Sequence, residues 1–158
     1  MKRVCALLCS AILLFGTVGV AQQESYREQV NNIVEAAQNL DDLLKTNAVG
    51  LAAYDKWYKD FSDLHSEFKK NFFNTHRQRE SFKSIQQAYD TFASAWNKLN
   101  QAEYSEEQYK EYITLNNVAS AHNWKNTAIS QRKEALDAIG EGIELIGSAE
   151  NLLEEEDN

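Results

Sequence analysis

Apolar residues recur at steps of three and four along most of the chain, which is the period of a helix that buries one face. The first predicted helix begins at Ser25, because Ser25 and Glu28 have the spacing of a capping box. It ends near Thr46, and a kinked continuation to Gly50 is the alternative. Its predicted core face comprises Val30, Ile33, Ala37, Leu40 and Leu44.

The second predicted helix spans residues 51–73 and includes YDKWYKDFSDLHSEFKKNFF, in which seven of twenty residues are aromatic. On a helical wheel six of these rings fall, with Leu64, inside an arc of about 120°, the width of a core-facing stripe. Phe73 lies outside that arc, and the opposite face is charged. His65 lies near the centre of the stripe. Its imidazole must therefore either form a hydrogen bond in the core or have a functional role.

The third predicted helix begins at a second capping box, Thr75 with Gln78. Its core face also repeats at three and four, and it comprises Phe82, Ile85, Tyr89, Phe92, Trp96 and Leu99. A third box, Ser105 with Gln108, predicts that a further helix opens the C-terminal half of the chain.

The C-terminal half ends in a clear apolar face but starts with an asparagine-rich segment. The apolar face comprises Ile139, Ile143, Ile146 and Leu153. One helix over 105–153 would be about 70 Å long, more than the earlier helices can cover. We therefore expect a break near Asn116 and Asn117, with a long projecting helix as the alternative. Together the elements predict an all-α fold, an antiparallel bundle of four or five helices with short turns.

The first 21 residues have the features of a secretory signal peptide: a basic start, a short apolar run, and small residues before a cut after Ala21. A transmembrane anchor fits less well because the run is short. A lipoprotein cut before Cys9 fits less well because Leu8 precedes the cysteine. The predicted organisation is a signal peptide at 1–21, a helical bundle domain at 22–153 and an acidic tail at 154–158.

Both cysteines of the chain, Cys5 and Cys9, lie in this predicted signal peptide. The mature protein would therefore form no disulfide, no cysteine-ligated metal site and no thiol nucleophile. Small secreted eukaryotic domains usually carry disulfides, so the sequence favours a bacterial periplasmic or secreted protein.

The charge of the chain argues against several partners. The whole chain has 16 basic and 24 acidic residues; without Lys2 and Arg3 it has 14 and 24, a net charge of −10. Nucleic-acid binders present a basic patch, so we expect no nucleic-acid partner. We also expect no stable membrane insertion once the signal peptide is removed. The acidic tail is interpreted as a solvated end.

Two histidines form the one cofactor hypothesis that the sequence offers. A core histidine inside a bundle can ligate a b-type haem, and His65 with His122 would be the pair of axial ligands. The competing interpretation makes His65 a core residue, hydrogen-bonded to a tyrosine hydroxyl or a glutamine of a facing helix. No residue three positions before a histidine is acidic, which argues against a di-iron site. We expect no bound metal and no cofactor.

Catalytic motifs are missing from the sequence, so we expect a protein that is not an enzyme. It has no GxSxG elbow, and its paired acids fall where helix starts and wet faces would place them. GEGIELIG at 140–147 has neither the Gly-Lys-Ser/Thr ending nor the preceding strand of a phosphate loop. Its glycines indicate either a bent last helix or the close approach of another backbone.

Five apolar residues are candidates for binding a protein partner, because large apolar and aromatic side chains dominate interface hot spots. They are Trp57, Trp124, Ile139, Ile143 and Ile146. The alternative for Trp124 is that it closes one end of the core. The predicted function is therefore an exported, non-enzymatic helical bundle that binds a protein partner, self-associates or acts as a small scaffold. A haem-binding redox or carrier bundle and a periplasmic component of a secretion or envelope apparatus are the alternatives.

Overall fold

The computed structural model of the protein describes residues 26–46, 49–71 and 73–154. The predicted signal peptide, the predicted cap at Ser25 and most of the acidic tail lie outside these residues. All the regular secondary structure of the described residues is helical, which confirms the all-α prediction. The described residues form four helices, α1 at residues 26–45, α2 at Leu51–Phe68, α3 at His76–Thr114 and α4 at Val118–Glu154.

The end of α1 lies where the sequence predicts it. Thr46 forms a turn, and its hydroxyl donates to the carbonyl oxygens of Asp42 (2.9 Å) and Leu43 (3.1 Å). Val49 and Gly50 are not helical, so the helix does not continue to Gly50. The buried face of α1 includes the predicted Val30, Ile33, Ala37 and Leu40.

Helix α2 ends at Phe68, five residues before the predicted boundary, and this changes the role of Phe73. The Asn71 amide donates both to the carbonyl oxygen of Phe68 (2.9 Å) and to Oε1 of Gln29 in α1 (2.6 Å). These bonds favour a turn over another helical turn. Phe73 therefore lies in the link, where its ring packs against Phe82 at a centroid distance of 4.4 Å.

The predicted start of α3 is confirmed, but the predicted helix start at Ser105 is wrong. The Thr75 hydroxyl accepts from the Gln78 backbone N–H (3.1 Å), and Gln78 Oε1 accepts from the Thr75 N–H (3.4 Å). Helix α3 then runs unbroken through Ser105. The Ser105 side chain is buried and donates to Oε1 of Gln131 in α4 (2.8 Å), so it joins two helices and does not cap one.

The predicted break between α3 and α4 is confirmed at residues 115–117. Asn116 has a positive φ of 56°, a conformation that asparagine adopts more readily than most residues. The Asn117 side-chain oxygen accepts from the Ser120 N–H (3.2 Å), which caps the start of α4. Because α3 continues through Ser105 it is longer than predicted, and it forms a long hairpin with α4.

Small residues repeat every seven positions along the contact between α3 and α4. The Ser81 hydroxyl donates to the Ala149 carbonyl oxygen (3.1 Å), which fixes an antiparallel register in which paired residue numbers add up to about 230. Side chains this small let two helix backbones approach closely. The α3 row comprises Ser81, Ala88, Ala95 and Ala102, and the α4 row comprises Ala121, Ala128, Ala135, Gly142 and Ala149, all buried.

Gly142 belongs to this contact, and a bent last helix is not needed to explain it. A Cβ added to Gly142 would meet the ring of Phe92, whereas one added to Gly140 or Gly147 would meet nothing within 4 Å. Helix α4 continues without interruption past all three glycines. The aromatic core thus fills the space that a side chain at 142 would need.

The core between α2 and α3 is aromatic and centres on Phe92. The Phe92 ring lies edge-on to Trp57 (4.9 Å) and to Phe61 (5.0 Å), and its carbonyl oxygen accepts from the Tyr54 hydroxyl (2.9 Å). The Trp57 indole N–H donates to the Ala36 carbonyl oxygen in α1 (2.7 Å). Burying each such side chain contributes on the order of 1.5–3 kcal/mol, so this cluster anchors α1 and α2 beside α3.

The two halves of the α3–α4 hairpin differ in what covers them. The main core includes residues up to Leu99 of α3 and from Ala135 of α4 onward. Helix α2 begins at Leu51, level with Asn100 and Glu103 of α3. Residues 103–131, which we call the arm, extend the hairpin past this level by about 18 Å at 1.5 Å per residue.

Candidate functional site

The face of α4 that forms the core continues along the arm without a core above it. Its positions follow the 4,3 spacing that keeps one face of a helix toward a partner. In the core half these are Leu136, Ile139, Ile143 and Ile146, all buried or half-buried. In the arm and at its base they are Val118, His122, Lys125, Ile129 and Arg132, all exposed.

The matching face of α3 changes at the same level. Its predicted core positions, from Phe82 to Leu99, contact α2 or the main core. The same spacing then continues through Glu103, Glu106, Lys110 and Ile113. We call the α4 positions from Val118 to Arg132 and the α3 positions from Glu103 to Ile113 the exposed face of the arm. Its α3 positions continue the surface that α2 covers further down.

Two contacts between α3 and α4 indicate which side chains lie on this side of the arm. The Lys125 ammonium lies 6.0 Å from the centre of the Tyr109 ring, and Arg132 forms an ion pair with Glu106 (2.8 Å). On the opposite side of the arm the Tyr104 ring lies edge-on to Trp124, with centroids 6.0 Å apart. The arm thus has two distinct sides.

Large exposed apolar side chains are concentrated in the arm. Among the described residues, the five large apolar side chains that are most exposed all lie between 104 and 129. They are Tyr104 (56% exposed), Ile113 (48%), Leu115 (65%), Val118 (67%) and Ile129 (59%). Because such clustering is unusual for a solvated helix, it marks the arm as a candidate interaction site.

A notch of about 740 Å³ lies where α2 stops beside the arm. Gly50 and the first turn of α2 form its floor, and Asn100, Glu103 and Arg132 form its wall. The N-cap residue of α2 is Gly50, and no side-chain cap is present among the described residues.

The charge of the α4 segment in the arm departs from that of the chain. Residues 118–133 contain three basic residues and no acid, although the whole chain has 24 acids and a net charge of −8. The three are Lys125, Arg132 and Lys133. Arg132 forms an ion pair with Glu106 of α3. The next acid along α4, Glu134, pairs with Lys98 (2.6 Å), and that hydrogen bond lowers the pKa of the Glu134 carboxyl.

Four of the five predicted partner-binding residues lie in the core. Trp57, Ile139 and Ile146 are buried, and Ile143 is half-buried against the same core. Their apolarity is explained by packing. Trp124 differs, because it is half-buried against Tyr104 in the arm and lies outside the main core.

His65 is a core residue whose imidazole is not fully satisfied. It is 2% exposed and stacks on the Tyr89 ring at 4.1 Å, and its Nε2 atom has no hydrogen-bond partner. Burial lowers the pKa of His65, and the charge of Lys69 lowers it further, against opposing effects of Gln86 and Asp90. Neutral imidazole is therefore the form that the core favours.

The structure does not bring His65 and His122 together. His65 lies beside Tyr89 of α3, whereas the register of the hairpin places the exposed His122 opposite residue 108. Nineteen helical residues separate these levels, which is about 28 Å. The pair therefore does not form a shared iron site. Within the described residues no group of three or more His, Cys, Asp or Glu side chains could hold a metal ion.

Comparison with known proteins assigns this chain to no family. No protein-family model matches the chain, and neither the curated proteins nor the solved structures include a significant match. No helix among the described residues is both long and apolar enough to cross a membrane.

Sequence reasoning missed most of the residues that define the arm. Along the exposed face Ile113, Val118 and Ile129 are interspersed with Lys110, His122, Lys125 and Arg132, so they do not resemble an apolar stripe. The detectable signal was the 4,3 spacing that runs from Leu153 back to Val118 through the whole of α4. A second signal was the row of small residues at every seventh position.

Proposed function

We propose that this protein is exported, that it is not an enzyme, and that it binds a protein partner through the arm. In this proposal residues 1–21 are a cleaved signal peptide, and the mature chain acts in a bacterial periplasm or outside the cell. Its lower part is an antiparallel four-helix bundle that holds the arm in place.

The observation that carries the proposal is the clustering of exposed apolar side chains in the arm. Covering one exposed isoleucine or valine with a partner contributes on the order of 1.5–3 kcal/mol. Ile113, Val118 and Ile129 lie on one face, where one partner surface can cover all three. The arm is also a continuous helical hairpin, so these residues are held in a fixed arrangement before any partner arrives.

Two other features support binding over catalysis or haem transport. The arm offers apolar and amide side chains together with a few charges, and only Lys110, Lys125, Arg132 and two glutamates lie on its exposed face. The two candidate haem ligands lie about 28 Å apart along the hairpin. A secretion or envelope apparatus remains a natural setting for such a binding protein.

Affinity capture tests the proposal. Mature protein of residues 22–158 would be immobilised and exposed to native periplasm or culture medium, and the bound proteins would be quantified by mass spectrometry. The double substitution Val118→Ser and Ile129→Ser is expected to remove at least one partner that wild-type protein captures. Both side chains are exposed, so the variant is expected to keep the unfolding midpoint of the wild type.

The matched control places two serines on the exposed surface of α3 below the arm, as Gln87→Ser and Asn97→Ser. This control is expected to capture the same set as wild type. Identical captured sets for the arm variant, the control and the wild type would overturn the proposal that the arm is the binding site.

A further inference from the structure

A groove of about 300 Å³ lies between α2 and α3 on the lower part of the molecule. Five of the residues that line it belong to α2, and Trp96 belongs to α3. The α2 residues are Asp55, Tyr58, Lys59, Ser62 and Asp63. Small-molecule sites combine aromatic side chains with a few polar groups in a space of this size or larger, so the groove is a candidate for a small ligand.

Two aromatic rings line the groove, and neighbouring side chains hold both in place. The rings of Tyr58 and Trp96 lie in nearly parallel planes, 23° apart, with centroids separated by 6.5 Å. The Trp96 indole N–H donates to Oδ1 of Asp55 (2.9 Å). Tyr58 packs on Tyr89 (5.8 Å), whose hydroxyl lies 3.5 Å from Oγ of Ser62. The aromatic surface is therefore formed before a ligand arrives, which lowers the cost of binding.

The polar side chains of the groove carry both signs of charge. Asp55 and Asp63 supply two carboxylates and Lys59 an ammonium group, and all three side chains are exposed. The ion pairs among the described residues involve other side chains. Carboxylates accept hydrogen bonds, the ammonium donates them, and the Ser62 hydroxyl does both. The groove thus surrounds an aromatic surface with donors and acceptors.

This combination disfavours charged and purely apolar ligands. An anion would face two carboxylates, and an organic cation on the rings would be repelled by Lys59. An apolar ligand would remove charged groups from water without giving them hydrogen bonds.

A neutral ring that carries hydroxyl groups fits all of these side chains. Its C–H groups can pack on an aromatic ring, because the π face is electronegative. Its hydroxyls can donate to the carboxylates and accept from the ammonium group. A pyranose sugar with equatorial hydroxyls has this form, with C–H groups on its two faces and hydroxyls around its edge.

We propose that the groove between α2 and α3 binds a neutral saccharide, with a pyranose ring packed on Tyr58 and Trp96. The hydroxyls of the sugar donate to Asp55 and Asp63 and accept from Lys59. This proposal goes beyond the proposed function, because the site is separate from the arm. Either proposal can fail without the other.

Cellobiose is the first probe, since both of its glucose rings carry equatorial hydroxyls. The mature chain contains three tryptophans, so its ¹H–¹⁵N spectrum has three indole signals, and Trp96→Phe assigns that of Trp96. Cellobiose is expected to shift this signal saturably, with a Kd on the order of 1 mM. The indole signals of Trp57 and Trp124 are expected to stay in place. An unchanged Trp96 signal at about 50 mM cellobiose, far above that Kd, would overturn the proposal.

Charged probes test the class of ligand. Glucuronate carries a carboxylate on the same ring and is expected to bind more weakly than glucose, because it would face Asp55 and Asp63. Tetramethylammonium tests the organic cation and is expected to bind more weakly than cellobiose. Tighter binding of tetramethylammonium would assign the groove to organic cations, and tighter binding of glucuronate would assign it to anions. Either result would overturn the proposal.

Substitutions locate the sugar. Asp63→Ala removes an acceptor of the groove and is expected to weaken cellobiose about fivefold. Asp60→Ala is the matched control, because it removes an exposed acid of the same helix that does not line the groove. It is expected to bind as wild type, and so is Val118→Ser/Ile129→Ser in the arm. Equal affinity of Asp63→Ala and wild type, or an equal loss in Asp60→Ala, would contradict the placement of the sugar in this groove.

Discussion

The lower half and the arm of the α3–α4 hairpin use the same helix contact but differ in what they expose. The row of small residues on α4 runs through both halves, from Ala149 to Ala121, and the row on α3 runs from Ser81 to Ala102 at the base of the arm. In the lower half the neighbouring face carries Phe92, Ile139 and their companions, and it is covered. In the arm the same face carries lysine, histidine and isolated aliphatic residues, and it is exposed.

The difference teaches that the hairpin does not need this face for its own cohesion. Close backbone contact through the small rows holds α3 to α4, and Ser105 with Gln131 adds a hydrogen bond inside the arm. The residues on the exposed face of the arm can therefore serve binding without taking part in folding. In the lower half the same positions cannot be changed without loss of the core.

The largest expected difference in stability between the two halves follows from truncating one aromatic side chain in each. Phe92→Ala removes a ring that contacts Trp57 and Phe61, so it is expected to lower the free energy of unfolding by about 3–5 kcal/mol. Trp124→Ala removes a half-buried ring that lies edge-on to Tyr104, with an expected loss of about 0.5–1.5 kcal/mol. Urea denaturation followed by circular dichroism measures both. Equal losses would show that the arm is part of one continuous core.

A pair of glycine substitutions tests the close contact in the lower half. Gly142→Ala is expected to destabilise by about 1–3 kcal/mol, because its Cβ would meet the buried Phe92 ring. Gly140→Ala has open space and is expected to stabilise by about 0.5–1 kcal/mol, since alanine favours helix. Thermal unfolding of the two variants should shift in opposite directions. A shift of both in the same direction would contradict the packing at Gly142.

A larger side chain in the row of small residues on α4 tests whether the arm unfolds separately from the lower half. Ala128→Leu would overpack the contact opposite Ala102, at a cost of about 1–3 kcal/mol that falls within the arm. Hydrogen exchange is expected to accelerate at residues 103–131 and to stay unchanged near Phe92. Ala119→Leu, at an exposed position of the same helix, is the control and should leave exchange as in wild type. Faster exchange throughout the chain would show that the arm and the core unfold together.

At neutral pH the smallest expected effect on the free energy of unfolding is that of His65. Burial lowers its pKa in the folded protein, so the unfolded chain takes up a proton first as the pH falls below its ordinary value of about 6.5. The stability that His65 supports is present above that pH and declines below it, by at most about 1.4 kcal/mol per pH unit. Urea midpoints between pH 7.5 and 5.5 measure the decline.

His65→Phe keeps a ring on Tyr89 and removes the proton, so its stability is expected to change much less over the same pH range. His122→Gln, at an exposed position in the arm, should keep the wild-type profile. If His65→Phe retained the full decline, another group would be responsible for it.

Much of the fold was predictable because each helix carries its own period. The 3,4 spacing located α1, the core face of α2 and the first half of α3, and the Thr75 capping box is present as predicted. The early end of α2 was not predictable, since it depends on Asn71 reaching Gln29 in another helix. Ser105 was misread for a related reason: a serine followed by a glutamine three residues later fits a cap as well as it fits a buried contact with Gln131.

The candidate site was less predictable than the fold. Trp57 and the three isoleucines of α4 have the composition of a binding surface, but only the packed structure shows that other helices cover them. Conversely, Val118 and Ile129 become conspicuous only because the main core reaches no further along α4 than Ala135 and leaves them exposed. Which elements cover a face is a property of tertiary structure, and local pattern does not contain it.

The rows of small residues in the hairpin also allow the length of the arm to change in steps of seven residues. Since their pattern repeats every seven residues, removing one repeat from α3 and one from α4 on either side of the turn would preserve the register at Ser81 and Ala149. The arm would then be shorter by about 10 Å, and the covered half would be untouched. The length of the arm can thus change without changing the stability of the lower half. Insertions and deletions near the turn can therefore adapt the distance to a partner without altering the fold.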